Sequence, residues 1–163
     1  MQINANQFAG EATTRVDLSV NLPATSTRED SDGESESLSV EYFDNLGASS
    51  NLDFTFYPTV PANGASNEWR MEIRDSESDV DADGIPDLVG DYRLTFDATR
   101  AGGGTLANVD FTNPGAPVGG AYDPLTGILT INVDGGPMDV NIGELGSSIG
   151  LTQLADAFAP ASI

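Results

Sequence analysis

Arg15-Val16-Asp17-Leu18-Ser19-Val20-Asn21-Leu22 alternates polar and apolar residues without a break. In extended backbone successive side chains point to opposite faces, so Val16, Leu18, Val20 and Leu22 share one face. The same alternation recurs at Leu38, Val40 and Tyr42, at Leu52, Phe54 and Phe56, and at Trp69, Met71 and Ile73. It returns at Tyr92, Leu94 and Phe96, at Leu129, Ile131 and Val133, and at Met138, Val140 and Ile142. Seven strands follow, with an eighth over 106–111. Each buries one face and wets the other, as in antiparallel sheets. The predicted fold is all-β, an antiparallel β-sandwich or irregular barrel.

The residues between these runs are turn formers. Asp44-Asn45-Leu46-Gly47 separates two strands, and Asp134-Gly135-Gly136-Pro137 predicts a hairpin. Pro114 to Pro124 reads as a structured surface loop, and Ala101-Gly102-Gly103-Gly104 as a turn. The polar stretch Thr25 to Ser37 predicts a long flexible loop. Leu151, Leu154, Ala155 and Phe158 have helical spacing, which predicts two turns of helix ending before Pro160. The expected organisation is a lead-in over 1–12, one all-β domain over 13–160 and a tail over 161–163. The domain carries acidic loops at 25–37 and 75–91.

A chain of 163 residues buries roughly 70% of its unfolded surface, enough for a core without disulfides. Twenty-six acids against six arginines give a net charge of −20. That charge repels phosphate backbones and anionic bilayers, so neither nucleic acid nor membrane insertion is expected. No run of apolar residues is long enough to span a bilayer, and no cleaved leader is read at the start.

The sharpest local motif is Asp79-Val80-Asp81-Ala82-Asp83-Gly84-Ile85-Pro86-Asp87. Asp79, Asp81 and Asp83 occupy positions one, three and five of a calcium loop, and Gly84 permits its turn. The Ile85 carbonyl suits position seven and Asp87 suits position nine. Gly90 stands where a bidentate Glu belongs, with Asp91 one place late, so the loop differs from an EF-hand. The alternative is a solvated acidic hairpin tip. No cofactor is required, and calcium is the one candidate ion. Glu29 to Glu36 is a second, looser acidic run, read as a solvated loop.

The chain has no His, Lys or Cys. It therefore lacks the usual neutral-pH base, Schiff-base amine and thiolate nucleophile. A carboxylate pair of the glycosidase kind is the remaining catalytic option, and no two acids are singled out for it. The expectation is no catalytic residue and no enzymatic activity. Trp69 shares its strand face with Met71 and Ile73 and is read as core, while Tyr57 lies on the opposite face.

An ordered set of motifs resembles a known family. An Asn-Leu pair closes the first strand at Asn21-Leu22, and a strand then runs into the Asp44-Asn45-Leu46-Gly47 turn. The aromatic strand Leu52 to Tyr57 follows, then Asn67-Glu68-Trp69, Phe96-Asp97 and Gly150-Leu151-Thr152-Gln153-Leu154. In this order they resemble the middle, surface-exposed domain of the bacterial flagellar hook protein. The segment Asp79 to Asp87 and the acidic loop after Leu22 depart from that pattern as insertions.

The resemblance implies a non-enzymatic, extracellular structural domain of the flagellum, in a curved helical tube that acts as a universal joint. It implies type III export, hook-capping proteins and further copies of the subunit as partners. It also implies that long terminal helices drive polymerisation, so this chain is expected to be monomeric by itself. The competing reading is a calcium-stabilised β module of a bacterial surface protein or adhesin.

Overall fold

The computed structural model describes residues 13–76, 84–99, 102–133, 136–155 and 158–160, with backbone alone at the last two. The strands are β1 (Arg15–Asp17), β2 (Val20–Asn21), β3 (Glu36–Phe43), β4 (Ser49–Pro58), β5 (Glu68–Asp75) and β6 (Leu88–Phe96). They continue with β7 (Leu106–Phe111), β8 (Ile128–Val133), β9 (Gly136–Asn141), β10 (Leu151–Thr152) and β11 (Ala159–Pro160). This is an all-β sandwich. One layer is the five-stranded meander β3-β4-β5-β6-β7, antiparallel throughout. The other holds two three-stranded sheets, β1-β9-β8 and β10-β2-β11.

The alternation read from the sequence decides what lies between the layers. Leu52, Phe54, Phe56, Trp69, Met71, Ile73, Leu94, Leu129, Ile131 and Val140 are fully buried in one apolar cluster. The predicted turn at Asp44 is present. The Asp44 carboxylate accepts the Leu46 and Ala48 N–H groups (2.8 and 2.9 Å), Gly47 takes φ +82°, and β3 and β4 pair on either side. The predicted hairpin near Gly136 is present too, since β8 and β9 pair antiparallel up to Val133 opposite Gly136. The eighth strand is β7.

Three expectations are corrected. The stretch 15–22 is two strands rather than one. β1 pairs with β9, and after Leu18-Ser19 the chain changes neighbours, so that β2 pairs with β10 and β11. The sheets are not all antiparallel, because β1 runs parallel to β9 and β2 parallel to β10. Strands from the two ends of the chain lie side by side there, free of the hairpin constraint that forces antiparallel pairing. The C-terminal helix is absent among the described residues. Leu151 and Thr152 are strand, and Leu151 and Gln153 are the buried pair. The apparent helical spacing arose because the second inward residue, Gln153, is polar.

The unpaired stretches are shorter than the predicted loops. Ala24–Thr27 forms a 3-10 turn with Thr27 buried, Arg28 bridges to Ala65, and Glu36 opens β3. Likewise β5 continues to Asp75 and β6 begins at Leu88.

Candidate functional site

The motif residues separated in sequence meet at one seam of the sandwich. Asn67 stands at φ +54°, a left-handed conformation that asparagine tolerates better than most side chains. Its carbonyl accepts the Phe96 N–H (2.8 Å), and its Oδ1 accepts Gln153 Nε2 (3.0 Å). Gln153 Oε1 in turn accepts Trp69 Nε1 at 2.8 Å, deep in the core. The buried Thr27 hydroxyl lies 3.4 Å from the same Oε1 and donates to the Ala24 carbonyl at 3.1 Å. On the neighbouring strand, Asn21 Oδ1 accepts Thr152 Oγ1 (3.0 Å) and the Leu154 N–H (2.9 Å). Gln153 N–H reaches the Gly104 carbonyl (2.8 Å). Asn21-Leu22, Asn67-x-Trp69, Phe96 and Gly150 to Leu154 are thus parts of one polar clasp across the layers. A buried network of this kind is stabilising when every member is satisfied and costly when one is removed.

The outer face of the meander is charged. Arg70 donates bidentately to Asp91 (2.9 and 2.8 Å) and sits 2.9 Å from Glu72, with Arg74 3.7 Å from Glu72. Glu72 and Asp91 are cross-strand partners, both largely buried beneath the guanidinium groups. Their two acids neutralise Arg70, which allows Arg93 to stand directly opposite it. Burial pushes Asp91 up, but the Arg70 hydrogen bonds and nearby charges outweigh this and leave it below the usual carboxylate range. A depressed folded value means that Asp91 stabilises the fold above its unfolded pKa of about 3.9 and stops doing so as pH falls through the folded value. The melting temperature should therefore drop on acidification below about pH 4, and Asp91→Asn should flatten that limb. A limb unchanged by the substitution would remove Asp91 from this role.

Among the described residues Asp75 is the one acid turned fully inward; it continues the inward phase of Trp69, Met71 and Ile73 and accepts the Tyr42 hydroxyl at 2.6 Å. Two more phenols tie loops to the sandwich. Tyr92 donates to the Gly120 carbonyl and Tyr122 to the Gly143 carbonyl, each at 2.6 Å. Burial, with Glu144 and Asp123 nearby, pushes Tyr122 up to about 12. The described buried acids thus hold structural partners on opposite faces of one sheet.

Of the candidate calcium ligands, Asp79, Asp81 and Asp83 lie outside the described residues. Gly84 has φ +84° and Ile85 is exposed. The Pro86 carbonyl accepts Arg74 Nη1 (2.7 Å), and the Asp87 carbonyl accepts the Asp75 N–H (3.4 Å). The second half of the loop is therefore pinned to the end of β5. Among the described residues no three acids gather as a metal-binding group.

Trp69 is core, as predicted, and Tyr57 is exposed. Sequence reasoning placed Asn67 and Gln153 in the family motifs without reading their buried contacts, and it missed Thr27, Asp75 and the Arg70 fork. Asp75 and Gln153 were within reach, since each continues the inward phase of its strand. An open groove of about 420 Å³ runs between Asp17, Asn141, Glu144 and Ile149 at the break between β1 and β2. No described helix is long and apolar enough to cross a membrane.

A comparison with curated proteins finds no match. The family model described as the flagellar basal body protein FlaE D2 domain matches residues 12–163, nearly the whole chain. The chain belongs to that family, as the all-β middle domain of the flagellar hook protein, an extracellular structural component of the motility apparatus.

Proposed function

We propose that this domain is the outer, non-catalytic body of a hook subunit, one of many identical copies in a helical tube that bends while it transmits torque. The family match over residues 12–163 carries this reading. The salt-bridged face of the meander supports it. Domains that slide past one another as a tube flexes need small, wet, polar contacts rather than a broad apolar one. A contact between unlike surfaces that does not close on itself generates a helical filament. Export through the flagellar type III apparatus and contact with hook-capping proteins belong to the same proposal, as does a single domain bounded at 13 and 160.

The test is to delete residues 13–160 from the full hook subunit and image the tubes. Altered curvature and bending stiffness are expected; tubes that curve and bend as before would contradict the proposal. The isolated chain is expected to sediment as a monomer in dilute solution. Its charge of −20 makes copies repel over a Debye length of about 8 Å at physiological salt. A tight oligomer would contradict that.

Calcium binding at Asp79, Asp81, Asp83 and Asp87, with the Ile85 carbonyl, is likewise a proposal, resting on ligand spacing. An ion that binds only the folded state stabilises it by mass action. Millimolar calcium should therefore raise the melting temperature modestly, and an unchanged melting curve would retire the site.

A further inference from the structure

Asn63 is the only asparagine of the chain followed by glycine. Both residues sit in an exposed bend between β4 and β5. A side chain at Gly64 would meet nothing within 4 Å, so the bend is open on the side where a Cβ would stand. Among the described residues, nothing accepts a hydrogen bond from that nitrogen. Comparable positions differ. The nitrogen after Asn45 donates to the Asp44 carboxylate (2.8 Å), and the one after Asn67 donates to Ser66 Oγ (3.1 Å). The one after Asn51 lies in the β4 ladder. The glycine nitrogen in Asp32-Gly33 donates to Ser31 Oγ (3.1 Å).

We propose that Asn63-Gly64 is a site of self-modification, where the chain deamidates in its folded state. The Gly64 nitrogen, losing its proton to solvent base, attacks Asn63 Cγ. The new N–Cγ bond closes a five-membered imide as the Cγ–Nδ2 bond breaks and ammonia leaves. Water then opens the imide at either carbonyl, giving aspartate or isoaspartate. The reaction needs no oxidant or cofactor, and it is fast because nucleophile and electrophile are held in one residue pair. Glycine matters because it presents no Cβ beside the attacking nitrogen.

The product alters the surface in two ways. It adds a carboxylate next in sequence to Gly64, which lines a cleft with Arg28, Glu29, Asp30 and Ala65. The isoaspartyl form also inserts a carbon into the backbone at the bend. That strains the Glu29 N–H bond to the Gly64 carbonyl (2.8 Å) and the Arg28–Ala65 bridge.

The experiment incubates the folded 163-residue chain in mildly alkaline buffer and follows it by mass spectrometry. Cleavage after Arg28 and Arg70 releases residues 29–70, which carry Asn45, Asn51, Asn63 and Asn67 together. Asn63 should gain one dalton roughly tenfold faster than the other three, as a mixture of aspartate and isoaspartate. Asn63→Gln should abolish that signal. The folded chain should react within about threefold of the isolated 29–70 peptide, because an exposed bend is not protected by the fold. Equal rates at all four asparagines, or a folded chain that is inert while the peptide reacts, would overturn the proposal.

Discussion

Trp69→Ala should destabilise the domain by about 3–5 kcal/mol, the range for deleting a large aromatic from a packed core. Trp69 is fully buried at the centre of the meander. Its loss removes apolar contact area and also leaves Gln153 Oε1 without its 2.8 Å donor, between the two layers. For a domain of this size the melting temperature should fall by roughly 10 °C or more. Trp69→Phe separates the two effects. Most of the volume remains and the indole N–H goes, so about 1–2 kcal/mol is expected. Gln153→Leu should cost more than Trp69→Phe, since it strips partners from both Trp69 and Asn67. Denaturant unfolding followed by circular dichroism measures all three. A Trp69→Ala variant within 1 kcal/mol of the parent would show that the seam is not the centre of the fold.

Gly150→Ala should cost about 3 kcal/mol or more, from two causes that add. Gly150 has φ +99°, where L side chains are strained. A Cβ there would lie 2.4 Å from the Ile142 carbonyl oxygen and 2.7 Å from Gly143 Cα, both backbone atoms that cannot swing away. This close approach lets Leu151 reach the Ile142 carbonyl and start β10 beside β2. Gly146→Ala is the matched control. It has φ +79° but open space, so it should cost only about 1–2 kcal/mol of backbone strain. Equal losses at the two positions would show that the backbone contact at Gly150 carries no weight.

The alternation of Val16 to Leu22, Leu52 to Phe56 and Trp69 to Ile73 was sufficient to read the all-β class and most of the core. It reports which face a residue takes, and face is a local property. It does not report which strand lies alongside. Val16, Leu18, Val20 and Leu22 all turn inward although the chain changes sheets in their midst, so nothing in their spacing marks the break. The parallel pairs β1–β9 and β2–β10 join residues more than a hundred positions apart, beyond the reach of any local pattern.

The C-terminal segment misled for a chemical reason. Its buried phase is Leu151 and Gln153, and a glutamine among core positions breaks an apolar count. The leucine at 154, exposed at 45%, then completed a false helical spacing. The resemblance built on Asn21, Asn67, Trp69 and Gly150 to Leu154 succeeded because those residues form one hydrogen-bonded clasp. Their order along the chain carried that information before their contacts were known.

The most direct test of the assembled account is a helical reconstruction of the intact hook, resolved to side chains. The domain should lie on the outside of the tube, with the Arg70–Glu72–Asp91 face turned to water or to a polar contact. A domain lining the central channel, or that charged face buried in a broad apolar interface, would contradict it.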